Sequence, residues 1–159
     1  EIKIILKDSS INNPLYDFLE NKGTDFKDRY FSDVIKFTDR DIEENHDFIQ
    51  WVFPTDEKST IADNVPILDN EIIMLFQESK IAQSNLKSAK DWYLSFLYRN
   101  GHWKKKYDHN HLRITRAIKS IRLLLGDDEA DDFKQKVYGI LGGRILLIDE
   151  KARRYWSKA

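Results

Sequence analysis

The segment "ENHDFIQWVFP", residues 44–54, decides how the first part of this 159-residue chain folds. Five large apolar side chains fill the six positions from Phe48 to Phe53, and Pro54 follows them. The residue before a proline avoids helical backbone angles, so Pro54 marks the end of a helix. The acidic residues upstream suit the first turns of that helix, where the helix dipole favours negative charge. We therefore predict one helix over residues 38–53, capped by Thr38 or Asp39.

The two faces of this predicted helix have different chemistry. One is an apolar stripe that we expect to be buried: Ile42, Phe48, Ile49, Val52 and Phe53. The other carries polar residues three and four positions apart, which share a face on a helix: Glu43, His46, Asp47 and Gln50. Beside a buried Trp51, His46 and Gln50 offer hydrogen bonds to a ligand, but packing into a core is the favoured explanation for the aromatic residues, and a structural role is favoured for His46.

The remaining chain is also patterned for helices. Asn13, Pro14 and Gly23 have the positions of a cap, a first-turn proline and a terminator around "NNPLYDFLENKG". Residues 54–68 are predicted to form a loop, and Asp69 to cap the next helix. Four long helical segments follow, over residues 79–101, 109–126, 128–143 and 144–159. In the first of these we expect these residues to face inward: Ile81, Leu86, Ala89, Tyr93, Phe96 and Leu97. The prediction is an all-α fold, a single compact domain of about six or seven helices spanning residues 1–159.

Composition excludes several classes of protein. The chain has no cysteine, which removes disulfides, thiolate metal sites and cysteine nucleophiles. Its 26 Lys and Arg against 27 Asp and Glu leave no global charge bias toward nucleic acid or membrane. No apolar run approaches the roughly 18 residues of a membrane helix. The first six residues, "EIKIIL", are too short for a signal peptide. A cytoplasmic location without a cofactor is the expectation.

Charge is nevertheless unevenly distributed along the chain. Residues 99–122 contain eight Lys or Arg against one Asp, whereas residues 39–71 contain ten acids against two bases. The aromatic basic stretch "YRNGHWKKKY" could hold nucleic-acid phosphates and stack bases. The candidate residues for that alternative are Lys104, Lys105, Lys106 and Arg122. The alternative is that the acidic and basic segments form ion pairs with each other or are exposed to solvent.

Evidence for catalysis in the sequence is weak. Glu43 with His46, and Asp108 with His111, have the spacing of carboxylate–histidine pairs in di-iron bundles. Those sites need further glutamates that this pattern lacks, so a metal-dependent enzyme is the least favoured hypothesis. The sequence contains no nucleophile elbow, no phosphate-binding glycine loop and no H-E-x-x-H motif. We therefore expect a protein that is not an enzyme and has no metal site.

Two segments resemble one known family. "HDFIQWVFP", residues 46–54, is similar to the hallmark of the opioid growth factor receptor conserved domain. "NHLRITRAIKSI", residues 110–121, resembles a helix of the same family. "PLYDFLENKGTD" and "WYLSFLYRNG" occur in the matching order, so the resemblance spans about residues 14–141. The family signature falls on Gln50, Trp51, Phe53, Pro54, Arg113, Thr115 and Arg116.

The resemblance implies a binding protein. The animal family member is a receptor for the pentapeptide Met-enkephalin, is associated with the nucleus and nuclear envelope, and has no known catalytic activity. Its long C-terminal repeat region has no counterpart here, so this chain resembles a short, stand-alone member. We expect a module that binds a peptide or protein segment, through an aromatic pocket and a carboxylate clamp. The candidate ligand-binding residues are His46, Gln50, Trp51, Phe53, Arg113 and Arg116.

Overall fold

The computed structural model describes residues 13–58 and 65–159, and within them the protein is all-α. The segment "EIKIIL" and the middle of the predicted 54–68 loop lie outside the described residues. Contacts divide the chain into two compact units, residues 1–89 and 90–159, and each is described by itself. The single-domain organisation stays a prediction.

The first unit contains five whole helices and the start of a sixth. They are α1 (Pro14–Leu19), α2 (Phe31–Val34), α3 (Asp39–Glu44), α4 (Ile49–Val52), α5 (Asn70–Glu78) and α6 (Lys80–Arg99). The caps follow the sequence, since Asn13, Thr38 and Asp69 each accept a backbone hydrogen bond at the start of a helix. Helix α1 packs on α4 and α5, with fully buried Phe18 at the centre of the unit.

Three predictions about the first unit are wrong. Residues 38–53 form two helices, because α3 ends at Glu44 and Asn45 has an extended backbone. Gly23 does not terminate α1, which ends at Leu19 and is followed by Asn21 at φ 62°. Ile81 is 54% exposed, whereas Ala82 is fully buried. The other predicted inward residues of α6 are buried, so only the first member of the stripe differs, with Ala82 in the place of Ile81.

The second unit contains the end of α6, then α7 (His109–Leu125), α8 (Asp127–Leu141), a 3-10 helix (Gly142–Leu147) and α9 (Glu150–Lys158). Helices α8 and α9 both pack on α7. Gly126 makes the sharp turn between α7 and α8 at φ 96°, a conformation that glycine adopts without a steric penalty. The final helix predicted over 144–159 is instead a 3-10 helix and α9, because the side chain of Asp149 caps a new helix.

The number of helices therefore exceeds the prediction of six or seven. The described residues contain nine α-helices, five of them with seven or more residues, and no strand. The extra helices arise from the short α2, which the sequence left ambiguous, and from the break between α3 and α4.

Candidate functional site

The signature segment 46–54 is held within the core of the first unit. Asp47 accepts a hydrogen bond of 3.1 Å from Arg29 Nη2 and pairs with Lys27. The buried ring of Phe48 meets Phe37 edge-on, with 5.3 Å between the ring centroids. The ring of Trp51 meets Phe18 edge-on at 5.5 Å. The segment thus attaches to three earlier parts of the chain.

Ion pairs hold Asp47 just beyond the break between α3 and α4. Burial alone would raise the pKa of Asp47, but hydrogen bonds from Lys27 and Arg29 outweigh it and lower the pKa. The Arg29 guanidinium also binds Asp25, which is 3% exposed, with 2.7 Å between Nε and Oδ2. Asp47 therefore belongs to an ion-pair cluster with Asp25, Lys27 and Arg29 of the loop before α2. Glu43, His46, Asp47 and Gln50 do not share one helical face.

The predicted ligand residues of the first unit differ in accessibility. Trp51 is 8% exposed and Phe53 is fully buried, so both side chains pack in the core of the first unit. His46 is exposed, and its carbonyl oxygen accepts a hydrogen bond of 3.2 Å from Gln50 Nε2. The Nε1 atom of Trp51 is buried and has no hydrogen-bond acceptor among the described residues. A ligand could reach the rings of Trp51 and Phe53 only if this part of the core opened, and the aromatic pocket stays a prediction.

The predicted carboxylate clamp lies in the second unit. Arg113 is 5% exposed, and its Nη1 lies 3.4 Å from Asn110 Oδ1. The same oxygen accepts a hydrogen bond of 2.9 Å from the hydroxyl of Tyr93, which is fully buried. Arg113 is thus part of a buried polar network, whereas Arg116 is half-buried. Its burial favours a structural role for the Arg113 side chain.

The basic residues proposed for nucleic acid are not one patch. Arg122 donates to Asp127 at 2.8 Å and to Asp131 at 2.7 Å, so its charge is compensated within the second unit. It also lies near the end of α7, about 20 Å along the helix from its start. Lys105 and Lys106 are exposed before that start, and Lys104 is half-buried. Only the three lysines are close together.

The two carboxylate–histidine pairs are not arranged as in a helical metal site. Helix α3 ends at Glu44, so Glu43 and His46 do not lie on one helix. Asp108 is the N-cap of α7 and accepts a hydrogen bond from the backbone of Asn110 at 2.9 Å. His111 Nε2 lies 2.8 Å from the carbonyl oxygen of Trp103. A carbonyl oxygen only accepts, so Nε2 carries a proton and does not serve as a metal ligand in this arrangement.

A groove of about 610 Å³ opens in the second unit between the start of α7 and the start of α9. We call it the tyrosine groove; its lining comes from residues 106–112 and 149–155. Its volume lies within the roughly 300–1,000 Å³ typical of ligand sites. Tyr107 and Leu112 are 67% and 65% exposed, and Tyr155 is 42% exposed. Such exposure of large apolar side chains around one cavity is typical of a binding surface.

Each tyrosine of the groove carries a lysine beside its ring. Lys106 Nζ lies 5.3 Å from the ring centroid of Tyr107, and Lys151 Nζ lies 5.8 Å from that of Tyr155. Both lysines are exposed. These distances are within the range of cation–π attraction. The rim thus combines aromatic surface with two ammonium groups.

Hydrogen bonds fix the walls of the tyrosine groove. The backbone nitrogen of Asp149 donates to the carbonyl oxygen of Lys106 at 3.1 Å, which joins the start of α9 to the basic loop. Trp156 Nε1 donates to the carbonyl oxygen of His111 at 3.0 Å, and the rings of Trp156 and His111 meet edge-on. Because these bonds within the chain fix both walls, the groove is pre-organised for a ligand.

Sequence reasoning found only half of this groove. The stretch "YRNGHWKKKY" marked Lys106 and Tyr107, although as nucleic-acid contacts. It missed Lys151 and Tyr155, which lie more than forty positions further along the chain. Their alternation with polar residues in α9 is the ordinary pattern of a surface helix. The contact between Asp149 and Lys106 that brings them together has no signal in the sequence.

Comparison with known proteins identifies the family. Residues 20–100 match the family model described as the opioid growth factor receptor conserved region. The match includes the 46–54 segment, whereas residues 110–121 lie beyond it. No curated protein and no solved structure matches the chain. None of the helices in residues 13–58 and 65–159 is long and apolar enough to cross a membrane. Because the family model covers half of the sequence, the chain belongs to the opioid growth factor receptor conserved-region family.

Proposed function

We propose that this protein is a non-catalytic module that binds a peptide or protein segment in the tyrosine groove. The observation that carries the proposal is the pre-organised groove with two exposed lysine–tyrosine pairs on its rim. Family membership supports it, since the animal member from which the family takes its name binds a peptide.

The chemistry of the groove favours a segment with an aromatic side chain and a free carboxylate. Tyr107, Tyr155 and Leu112 offer apolar surface on which an aromatic ring can pack. Lys106 and Lys151 offer charge-assisted hydrogen bonds to a carboxylate. Asp108 and Asp149 also line the groove, but each accepts a hydrogen bond from its own helix as an N-cap. Both aspartates keep their negative charge, so a carboxylate of the ligand is favoured only directly beside the ammonium groups of Lys106 and Lys151.

Calorimetric titration with Met-enkephalin tests this proposal. The pentapeptide with a free carboxylate and the same peptide with an amidated C-terminus are titrated into the full chain. We expect saturable binding of the free peptide, weakened by amidation. Tyr107→Ala and Tyr155→Ala should each weaken binding about tenfold, equivalent to about 1.4 kcal/mol. Tyr98→Ala is the matched control, because Tyr98 is 76% exposed outside this groove.

The outcomes separate the ligand from the site. A flat titration of the wild-type chain would refute opioid-peptide binding. Binding that survives both tyrosine substitutions would refute the groove. A third outcome is that Arg113→Ala loses binding but keeps the wild-type urea midpoint. That result would show that the ligand binds at the predicted carboxylate clamp, because a buried structural arginine cannot be removed without loss of stability.

A second candidate function is binding of single-stranded nucleic acid by Lys104, Lys105 and Lys106. The supporting observation is that Lys105 and Lys106 are exposed next to exposed Tyr107, a basic loop with an aromatic platform. Fluorescence anisotropy with a labelled oligonucleotide tests it. Three phosphate contacts predict a slope of log K against log salt of about −2. Binding without salt dependence, or binding unchanged when the three lysines are replaced by alanine, would eliminate this function.

A further inference from the structure

The 3-10 helix of the second unit ends in two leucines that are exposed to solvent. Leu146 is 76% exposed and Leu147 is 49% exposed, whereas Ile148 directly after them is buried. Neither leucine lines the tyrosine groove. Single exposed apolar side chains are ordinary on a protein surface, but two neighbouring leucines on one short turn form an apolar patch. We call this patch the leucine tip.

Helix α9, which follows the leucine tip, carries a stripe of cations on its solvent face. Arg154 and Lys158 lie two positions before and after the buried Trp156, about 200° around the helix from it, so they face away from the core. Lys151 lies three positions before Arg154 and extends the stripe. All three cations are exposed, and none of them forms an ion pair with a described residue. Their charges are therefore not compensated by ion pairs within the described part of the chain.

The acidic residues of this segment do not cancel its positive charge. Residues 144–158 contain five Lys or Arg and two acids, a net charge of +3. Asp149 is the N-cap of α9 and accepts a hydrogen bond of 3.2 Å from the backbone nitrogen of Lys151. Glu150 lies in the first turn of α9, where the helix dipole favours an acid. Arg144 adds a further exposed cation on the 3-10 helix itself.

The leucine tip and the cationic stripe are fixed close to each other. Arg153 Nε donates to the carbonyl oxygen of Ile148 at 3.0 Å, which ties the end of the 3-10 helix to the first turn of α9. Leu147 and Lys151 are four positions apart in the chain, so at most about 14 Å separates their Cα atoms. The tip and the stripe are therefore near enough to contact one surface at the same time.

We infer that this region binds the surface of a membrane that contains anionic lipid. We call it the leucine–basic surface, and its members are Leu146, Leu147, Arg144, Lys151, Arg154 and Lys158. Leucines that enter the boundary between headgroups and acyl chains are removed from water, while the cations stay among the anionic headgroups. Only Lys151 of this set lines the tyrosine groove, so the inference does not depend on that site.

Lipid explains the leucines better than the other anionic partners do. A fluid acyl layer accepts a protruding side chain of any shape, whereas a folded partner would need a cavity that matches it. Single-stranded nucleic acid offers phosphates to the cations, but its bases stack on aromatic rings and provide no apolar layer for leucine. An anionic membrane surface is the partner that uses both halves of the leucine–basic surface.

Cosedimentation of the full chain with lipid vesicles tests the inference. One set of vesicles is phosphatidylcholine alone, and the other contains phosphatidylserine as well. Leu146→Ser removes half of the leucine tip, and Met74→Ser is its matched control, because Met74 is 71% exposed in the first unit. Arg154→Glu reverses one charge of the stripe. Its matched control is Lys87→Glu, because Lys87 is exposed in the first unit and forms no ion pair with a described residue.

We expect the wild-type chain to bind the vesicles that contain phosphatidylserine, and to bind phosphatidylcholine at least about tenfold more weakly. Added salt should weaken the binding, because it screens the attraction between the cations and the headgroups. Leu146→Ser should weaken binding about tenfold, and Arg154→Glu at least about fivefold. Met74→Ser and Lys87→Glu should leave it unchanged.

Three results would overturn the inference. The first is no binding of the wild-type chain to the vesicles that contain phosphatidylserine. The second is binding that Leu146→Ser leaves unchanged, because the leucine tip would then have no contact with lipid. The third is tighter binding of a labelled single-stranded oligonucleotide than of the vesicles, weakened by Arg154→Glu but not by Leu146→Ser, which would assign the stripe to nucleic acid. A circular dichroism spectrum and a urea midpoint for each variant distinguish a lost contact from a misfolded protein.

Discussion

Replacing Trp51 tests whether the family signature stabilises the core of the first unit. The side chain is 8% exposed and packs edge-on against Phe18. A buried tryptophan removes about 150–250 Å² from water. At about 25 cal/mol per Å², that area corresponds to about 4–6 kcal/mol. The unfolded chain already buries part of this surface, so the sum is an upper limit. We therefore expect Trp51→Ala to lower the free energy of unfolding by about 3–5 kcal/mol.

Trp51→Phe isolates the contribution of the indole nitrogen. It keeps an aromatic ring and removes Nε1, which is buried without an acceptor among the described residues. Since an unpaired buried donor costs about 1–3 kcal/mol, its removal offsets much of the lost packing. We expect Trp51→Phe to lie within about 1.5 kcal/mol of the wild type. Trp156→Phe is the matched control, because Trp156 is fully buried and its Nε1 donates to His111. It should cost about 1–2 kcal/mol more than Trp51→Phe.

Urea unfolding followed by circular dichroism measures these differences. Tryptophan fluorescence is less suitable, because each substitution removes one of the four tryptophans and so changes the signal itself. The slope of the free energy against urea concentration should stay constant, which shows that the midpoints report stability. A Trp51→Phe variant as unstable as Trp156→Phe would refute the reasoning, because it would show that Trp51 Nε1 has an acceptor after all.

Three further predictions concern the stability of the units. Asp47→Asn should lower the free energy of unfolding by about 1 kcal/mol at pH 7. Because the pKa of Asp47 is lowered in the folded state, this difference is present above about pH 4 and disappears as the pH falls through the folded pKa. Urea midpoints measured at several pH values can follow the change. Gly23→Ala should destabilise by about 1–3 kcal/mol in urea unfolding, because its Cβ would lie 2.9 Å from Asp17 Cβ; an unchanged midpoint would contradict the structure of that turn. Gly139→Ala should instead stabilise by about 0.5–1 kcal/mol, since its Cβ meets open space; a loss of stability would mean that internal packing excludes a side chain there.

Much of the helical framework could be predicted because its signals are local. Asn13, Thr38 and Asp69 cap helices as expected, and all but the first of the predicted inward residues of α6 are buried: Leu86, Ala89, Tyr93, Phe96 and Leu97. Caps and stripes depend on side chains within one or two turns of each other, so the sequence displays them directly.

The break between α3 and α4 has no helix-breaking residue to announce it in the sequence. No glycine or proline occurs between Glu44 and Phe48. The helix ends at Glu44, and Asp47 just beyond it pairs with Arg29, a partner 18 positions earlier that no local pattern indicates. The same limit applies to the tyrosine groove, whose second half comes from α9. Residues that meet only through tertiary contacts have no periodicity between them.

The contacts of the signature segment also bear on the order of folding. Phe18, Arg29 and Phe37, which hold Trp51, Asp47 and Phe48, all precede the segment in the chain. During synthesis, every one of these partners has left the ribosome before the segment emerges. Domains fold from the N-terminus as they are made, and contacts between residues close in sequence form fastest. The segment can therefore close the first hydrophobic cluster co-translationally, before Ser79 and Asn85 emerge to bind Glu20 and the carbonyl oxygen of Leu19.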